Sequence, residues 1–308
     1  MSTNKKILIL GSTGMVGSSI YRSLTSRGYL NILAPKRSEL NLFNIKEVRE
    51  YFSDNDIDLI LLCAAKVGGI KANSEFKADF IYENLQIQNN VINNAYISGI
   101  NELIFFGSSC IYPRNCDQPI KEEYLLNGPL EKTNDAYAIA KIAGIKMCQS
   151  YNSQYGLNYK SIMPTNLYGP GDNYDLNNSH VIPAIIRKTH EAIINKEDSI
   201  TLWGSGNARR DILHVDDLAE ASLCVLENIK KCDDIINVGS GTDYSIKDLA
   251  KIVKKCLQYD GEYIFDHSMP DGTPRKLLDN KKISELGWTP KIDLIEGIKN
   301  VYFDRFKR

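Results

Sequence analysis

The segment that most limits what this chain can become is Gly11-Ser12-Thr13-Gly14-Met15-Val16-Gly17, which follows the apolar run 6–10 directly and opens a helical pattern. A strand that turns through glycines into a helix aims backbone N–H groups and the positive end of the helix at one spot, and that spot suits a pyrophosphate. The spacing is GxxGxxG rather than GxGxxG, so its position between strand and helix carries the reading more than the pattern does. All seven residues of the loop are expected to contact a dinucleotide.

The rhythm of the chain agrees. Apolar, β-rich runs at 6–10, 29–34, 57–65, 102–107 and 158–163 alternate with segments at 16–27, 45–52, 76–98 and 136–155 whose apolar residues recur every three or four positions. Such alternation predicts an α/β fold of the Rossmann type, a doubly wound parallel sheet with helices on both faces. Around 168–178 the sequence turns to Gly, Pro, Asn and Asp, the chemistry of a loop and a candidate boundary. Beyond it, helices at 181–195, 216–229, 245–257 and 294–302 and short strands at 235–238 and 262–265 suggest a smaller C-terminal α/β lobe for a substrate. Ser245, with Asp248 three residues on, resembles a helix start. The expected division is a cofactor domain over 1–170, with 211–240 returning to it, and a substrate-binding lobe from 171–210 and 241–308.

The totals exclude several classes of function. Basic and acidic residues number 37 and 38, a net charge of -1, so no global field gathers nucleic acid or an anionic membrane. No apolar run approaches the roughly 18 residues of a spanning helix. The seven cysteines are scattered without a CxxC pair, and no basic-plus-apolar leader precedes the first strand. Reduced thiols in the cytoplasm are therefore expected, with no metal site.

At the end of the second strand, where an NAD enzyme commonly places an acid for the ribose hydroxyls, stands Ala34-Pro35-Lys36-Arg37-Ser38. Basic residues there favour a 2′-phosphate, hence NADP(H), with Arg37 as its partner. Arg37→Ala should raise the Michaelis constant for NADPH far more than that for NADH.

Tyr137-Ala138-Ile139-Ala140-Lys141 lies inside a helical pattern, which puts Tyr137 and Lys141 one turn apart on the same face. A nearby ammonium favours the ionised phenol, so Lys141 is expected to lower the Tyr137 pKa from its usual value of about 10. In a chain with 17 tyrosines this motif alone means little. It gains weight from Gly107-Ser108-Ser109-Cys110 at the C-terminal end of the fourth strand, where open α/β sheets place ligands. Ser108 can hydrogen-bond the carbonyl that Tyr137 protonates, which makes hydride transfer the expected reaction.

At this point the chain resembles an extended short-chain dehydrogenase/reductase, and within that group the GDP-L-fucose synthase family. The matching stretches are AAKVGGIKAN at 64–73, GSSCIYP at 107–113, YAIAKIAGIK at 137–146, MPTNLYGPGDN at 163–173, NSHVIPA at 178–184 and PDGTPRKLLD at 270–279. The resemblance implies reduction by Ser108, Tyr137 and Lys141 and epimerisation by Cys110 and His180. It implies cofactor contacts from Ala64, Ala65, Phe106, Gly107, Ser109, Pro164, Thr165 and His180, with Asn166 and Leu167 near the nicotinamide. It implies sugar-nucleotide contacts from Lys188, Trp203, Arg210 and Asp271, and a homodimer packed through 76–98 and 136–155. The substrate implied is a GDP-sugar, GDP-4-keto-6-deoxy-D-mannose, in nucleotide-sugar and polysaccharide biosynthesis.

The sequence departs from the family pattern at Asn134-Asp135-Ala136 and at Asn207-Ala208-Arg209-Arg210-Asp211. Both stretches touch the rim of the expected pocket. A C4-reductase without epimerisation, acting on a related GDP-4-keto-6-deoxy sugar such as a heptose, therefore stays open as the alternative. A 4,6-dehydratase is disfavoured because Ser109-Cys110-Ile111 stands where that chemistry places a Thr-Asp-Glu set. A silent NADP-binding regulator would bind cofactor and turn nothing over.

Overall fold

The computed structural model describes residues 4–307. Its first half runs β1 (Ile7–Leu10), α1 (Met15–Ser26), β2 (Ile32–Leu33), α2 (Ile45–Asp54), β3 (Leu59–Leu62), α3 (Ile70–Glu75), α4 (Lys77–Ile97), β4 (Glu102–Phe106), α5 (Asp135–Tyr155) and β5 (Asn158–Pro164). The second half runs β6 (Asn166–Tyr168), α6 (Val181–Asn195), β7 (Ser199–Trp203), β8 (Arg209–His214), α7 (Val215–Glu227), β9 (Ile235–Val238), β10 (Asp243–Ser245), α8 (Ile246–Leu257), β11 (Glu262–Asp266), β12 (Arg275–Lys276), α9 (Lys281–Glu285) and α10 (Leu294–Phe306).

Six parallel strands form the expected sheet in the order β2-β1-β3-β4-β5-β9. Every residue of β1, β3 and β4 is buried, as parallel strands are when helices cover both faces. Alternation along β1 feeds two cores: Leu8 and Leu10 pack with Val91, Leu103 and Ile145 on one face, and Ile7 and Ile9 pack with Leu24, Ile104 and Leu218 on the other. Each such aliphatic side chain, once fully buried, contributes roughly 1.5–3 kcal/mol. The chain leaves β1 for β2 on one side and returns to β3 on the other, so a crevice opens between β1 and β3 at their C-terminal ends.

Two expected strands are shorter than their apolar runs. The run 29–34 keeps only β2, an edge strand paired through Ile7 and Leu8. The run 57–65 keeps only β3, because Cys63, Ala64 and Ala65 leave the ladder and turn toward the crevice.

The second region has its own core, in which Tyr168, Ile186, Leu202, Leu249, Val253 and Ile298 pack together. A small sheet, β10-β8-β12 with β6 also on β8, joins this core to the large sheet. Strands β6, β7, β8, β10 and β12 and helices α3 and α9 were not foreseen from sequence. In β8 the run Arg209-Arg210-Asp211 has no apolar periodicity, yet Asp211 is fully buried. Its carboxylate accepts from the Ser240 amide at 2.8 Å and hydroxyl at 2.7 Å, and burial still raises it to about 6. Ser245 caps α8 as its sequence suggested, accepting from the Asp248 amide at 3.0 Å. Among the described residues no helix is long and apolar enough to cross a membrane, and no group of three metal-ligating side chains comes together.

Candidate active site

A cavity of about 1080 Å³ starts at the crevice between β1 and β3 and continues to the second region. The glycine loop forms one wall, and two of its glycines are obligatory. Gly11 has φ of +89°, and a Cβ there would lie 2.7 Å from the Ala64 amide nitrogen. A Cβ on Gly17 would lie 2.2 Å from the Gly11 carbonyl oxygen. The loop therefore closes tightly on α1 and on the end of β3. Helix α1 begins at Gly14 with no side chain over its first amides, and Gly14, Met15 and Val16 line the cavity. The Gly14 amide donates to the Gly11 carbonyl at 3.1 Å, and the amides of Met15 and Val16, with the helix dipole behind them, fit a pyrophosphate.

Every residue expected to hold the cofactor lines this cavity except Ser12. The Ser12 hydroxyl bonds the Ala34 carbonyl at 3.2 Å, tying the loop to the end of β2. Of the basic pair after β2, only Arg37 lines the cavity, its guanidinium 5.3 Å from the Phe43 ring centroid. An open guanidinium at that place fits the extra phosphate of NADP(H).

Ser108, at the end of β4, and Tyr137 and Lys141, on α5, meet in the middle of the cavity. Helix α5 packs along β4 and β5, and Phe80 of α4 sets the Tyr137 ring edge-on, with centroids 6.2 Å apart. Lys141 is buried, its ammonium 2.8 Å from the Phe106 carbonyl oxygen and 5.9 Å from the Tyr137 ring centroid. Burial lowers it to about 8. Burial also pushes the Tyr137 phenol up, the Cys110 sulfur adds to this, and a Ser108 hydrogen bond opposes it. The net shift of Tyr137 is therefore upward, against the lowering expected from Lys141. The Lys141 ammonium is held by a main-chain carbonyl, and burial of the phenol favours its protonated form.

Cys110 sits in the short turn after Ser108. Burial raises its thiol, but Lys276, the Ser108 hydroxyl and Arg210 together outweigh that and leave it below the ordinary thiol value. The Lys276 ammonium is 3.2 Å from the sulfur and the Asn134 amide nitrogen 3.1 Å. His180, the residue before α6, is exposed on the wall of the same cavity. The protein packed around it and then the Lys276 ammonium lower its imidazole below the ordinary value.

The far end of the cavity takes Lys188, Trp203, Arg210 and Asp271, as expected. Lys188 donates to the Thr201 carbonyl at 2.8 Å, and Trp203 keeps an open face, 41% exposed. Arg210 reaches across to the loop before β12, donating to the carbonyls of Thr273 at 2.6 Å and Asp271 at 3.0 Å. The Asp271 carboxylate accepts from the Ser205 amide at 2.8 Å. Cations beside an indole suit a diphosphate and an apolar ring.

Comparison with known proteins agrees with this geometry. Residues 7–239 match the NAD dependent epimerase/dehydratase family. The chain is 49% identical over 308 residues to the GDP-L-fucose synthase of Escherichia coli (strain K12), covering 97% of this chain and 96% of the other. The chain belongs to the GDP-L-fucose synthase family. A second member, the GDP-L-fucose synthase of Sinorhizobium fredii, is 48% identical, covering 97% and 94%. Among solved structures, a GDP-mannoheptose C4 reductase from Campylobacter jejuni with NADP bound superposes with a TM-score of 0.90 at 38% identity, covering all of both chains. The cofactor of this family member is NADP(H).

Two residues at the centre of this GDP-L-fucose synthase family site were not singled out from sequence. Lys276 lies in the matched stretch 270–279, and its strand places it beside Arg210 in the register of β12 on β8. Asn134 lies at the start of α5. The available signals were a lysine inside a family-like segment and an asparagine before the helical pattern, in a stretch placed on the pocket rim.

Proposed function

We propose that this chain is an NADPH-dependent GDP-4-keto-6-deoxy-D-mannose 3,5-epimerase-4-reductase that forms GDP-L-fucose. The observation that carries the reading is that one cavity holds Cys110, with its lowered thiol, and His180 together with Ser108, Tyr137 and Lys141.

A ketone at C4 acidifies the hydrogens at C3 and C5. Cys110, as thiolate, takes a proton from the ring carbon and leaves an enolate whose oxygen Ser108 and Tyr137 hold by hydrogen bonds. His180, as imidazolium, returns a proton to the opposite face, so the centre inverts; Cys110 then gives its proton to solvent and His180 takes one up, and the same pair serves the second carbon. NADPH, when bound, supplies a hydride to C4. Tyr137 gives its proton to O4, completing the reduction of ketone to alcohol, and Lys141 stabilises the phenolate left behind. The raised phenol suits this role because the donor form persists at neutral pH.

The glycine loop and the start of α1 would hold the pyrophosphate, Arg37 the 2′-phosphate, and Asn166 and Leu167 the nicotinamide end. The cofactor domain comprises 1–170 and 211–240, and the substrate lobe 171–210 and 241–308, where Lys188, Trp203, Arg210 and Asp271 would receive the GDP moiety. Copies of the chain pair through α4 and α5, a reading supported by Tyr82, Ile97, Ile139 and Tyr155, large apolar side chains that stand exposed on those helices. Seven free cysteines support a reducing compartment, the cytoplasm.

The test is incubation with GDP-4-keto-6-deoxy-D-mannose and NADPH, following cofactor oxidation and the NMR spectrum of the product. Oxidation with an L-galacto product is expected. Oxidation that leaves C3 and C5 uninverted would assign a C4-reductase instead, and no oxidation with any 4-keto sugar, heptoses included, would remove the enzymatic reading.

A further inference from the structure

Helix α5 starts at Asn134, and asparagine at such a position ordinarily folds its side-chain oxygen over an amide of the first turn. Here it does not. The backbone at Asn134 has ψ of 22° rather than an extended value, no side chain caps the helix, and the Asn134 Oδ1 is buried without a hydrogen-bond partner. The amide nitrogen instead reaches 3.1 Å to the Cys110 sulfur. The turn that leads into α5 is pinned for this purpose. Glu131 Oε1 accepts from the Thr133 amide and hydroxyl, both at 3.2 Å, its other oxygen lies 2.8 Å from Arg114 Nε, and the Asn134 amide donates to the Glu131 carbonyl at 3.2 Å.

We propose that Asn134 is a positioning residue for Cys110, its side-chain N–H fixing the sulfur as an anionic acceptor opposite Lys276 so that the thiolate faces the sugar ring. This rests on the epimerase reading above. A hydrogen bond to the charged form of a buried group favours that form, and an uncharged donor does so without adding another ion to the pocket. The charged and titratable groups around the sulfur are Lys276 on β12, Arg210 on β8 with Glu131 near it, Tyr137 on α5, and His180, which also feels Lys276; the Ser108 hydroxyl completes the set. Asn134 joins this set as a donor by giving up a cap that its residue type is well suited to make.

The experiment uses the full-length protein and two variants. Asn134→Asp keeps shape and capping ability but replaces the donor with an acceptor, and Asn134→Ala removes both. The rate of Cys110 alkylation by iodoacetamide is measured against pH, with Cys110→Ser as background, alongside deuterium entry at C3 and C5 and hydride transfer to a ketone already inverted at both carbons. The expected result for Asn134→Asp is a melting temperature at or above that of the parent, with alkylation at least about tenfold slower at neutral pH, equivalent to an upward shift of about one pH unit. Deuterium entry should fall at least about tenfold more than hydride transfer, with Asn134→Ala moving in the same direction if it folds. An unchanged alkylation profile in Asn134→Asp, or exchange and hydride transfer falling together, overturns the proposal. Because alkylation needs no sugar, a shifted thiol profile in a protein whose parent never exchanges C3 or C5 would support the Asn134 contact and remove the epimerase reading instead.

Discussion

Cys63 and Cys110 follow adjacent parallel strands, β3 and β4, line the same cavity, and each has a lysine within electrostatic reach. Their thiols nevertheless move in opposite directions. Burial raises Cys63 far above the ordinary thiol value, and the pull of Lys141 does not compensate, since that ammonium is turned to the Phe106 carbonyl. Cys110 meets the same burial but falls below the ordinary value because Lys276 at 3.2 Å, the Ser108 hydroxyl and Arg210 outweigh it, and Asn134 lies 3.1 Å from the sulfur. A nearby cation does not by itself make a reactive thiol; donors that point at the sulfur do.

The largest expected effect separates the two residues by function. Cys110→Ser should lower deuterium entry at C3 and C5 by about 10²- to 10⁴-fold, the usual scale for losing a positioned base, whereas Cys63→Ala should retain exchange. Loss of exchange in both variants would break the comparison. Next in size is selectivity toward an alkylating reagent near neutral pH: mass spectrometry should find Cys110 modified at least about tenfold faster than Cys63. Cys110 loses reactivity as pH falls through its lowered pKa, while Cys63 stays a thiol throughout the neutral range. Removing the cation alone sharpens the point, because Lys276→Met should slow Cys110 alkylation by about tenfold at neutral pH and leave Cys63 unchanged. The smallest effect belongs to Lys141, held at about 8, which loses its charge as pH rises through that value. The ratio kcat/KM for NADPH, which reports the free enzyme, should accordingly fall by about tenfold per pH unit above the limb, and Lys141→Arg should move the limb upward.

Much of this site was legible because its chemistry is local in sequence. The glycine loop sits between a strand and a helix, Tyr137 and Lys141 share one turn of α5, and Ser108 and Cys110 follow the end of one strand. Asn134 and Lys276 were not legible. The first resembles an ordinary helix cap until its side chain is seen to point elsewhere, and the second lies 166 positions from the sulfur it contacts. The Ser12 hydroxyl bond to the Ala34 carbonyl was not legible either, since it joins the loop to a strand end 22 positions away. The large sheet follows from apolar runs that helices bury on both faces. The small sheet does not, since β8 and β12 place Arg210, Asp211 and Lys276 inside, where partners rather than hydrophobicity keep them.

The proposed chemistry uses different side chains, within one cavity, for proton exchange at the ring carbons and for hydride transfer at C4. The direct measurement compares Tyr137→Phe and Cys110→Ser in heavy water, recording deuterium at C3 and C5 together with NADPH oxidation. Tyr137→Phe should continue to exchange while oxidation nearly stops, and Cys110→Ser should exchange at least about 10²-fold more slowly than the parent. Exchange that persists in Cys110→Ser and disappears in Tyr137→Phe would contradict the assignment of the base.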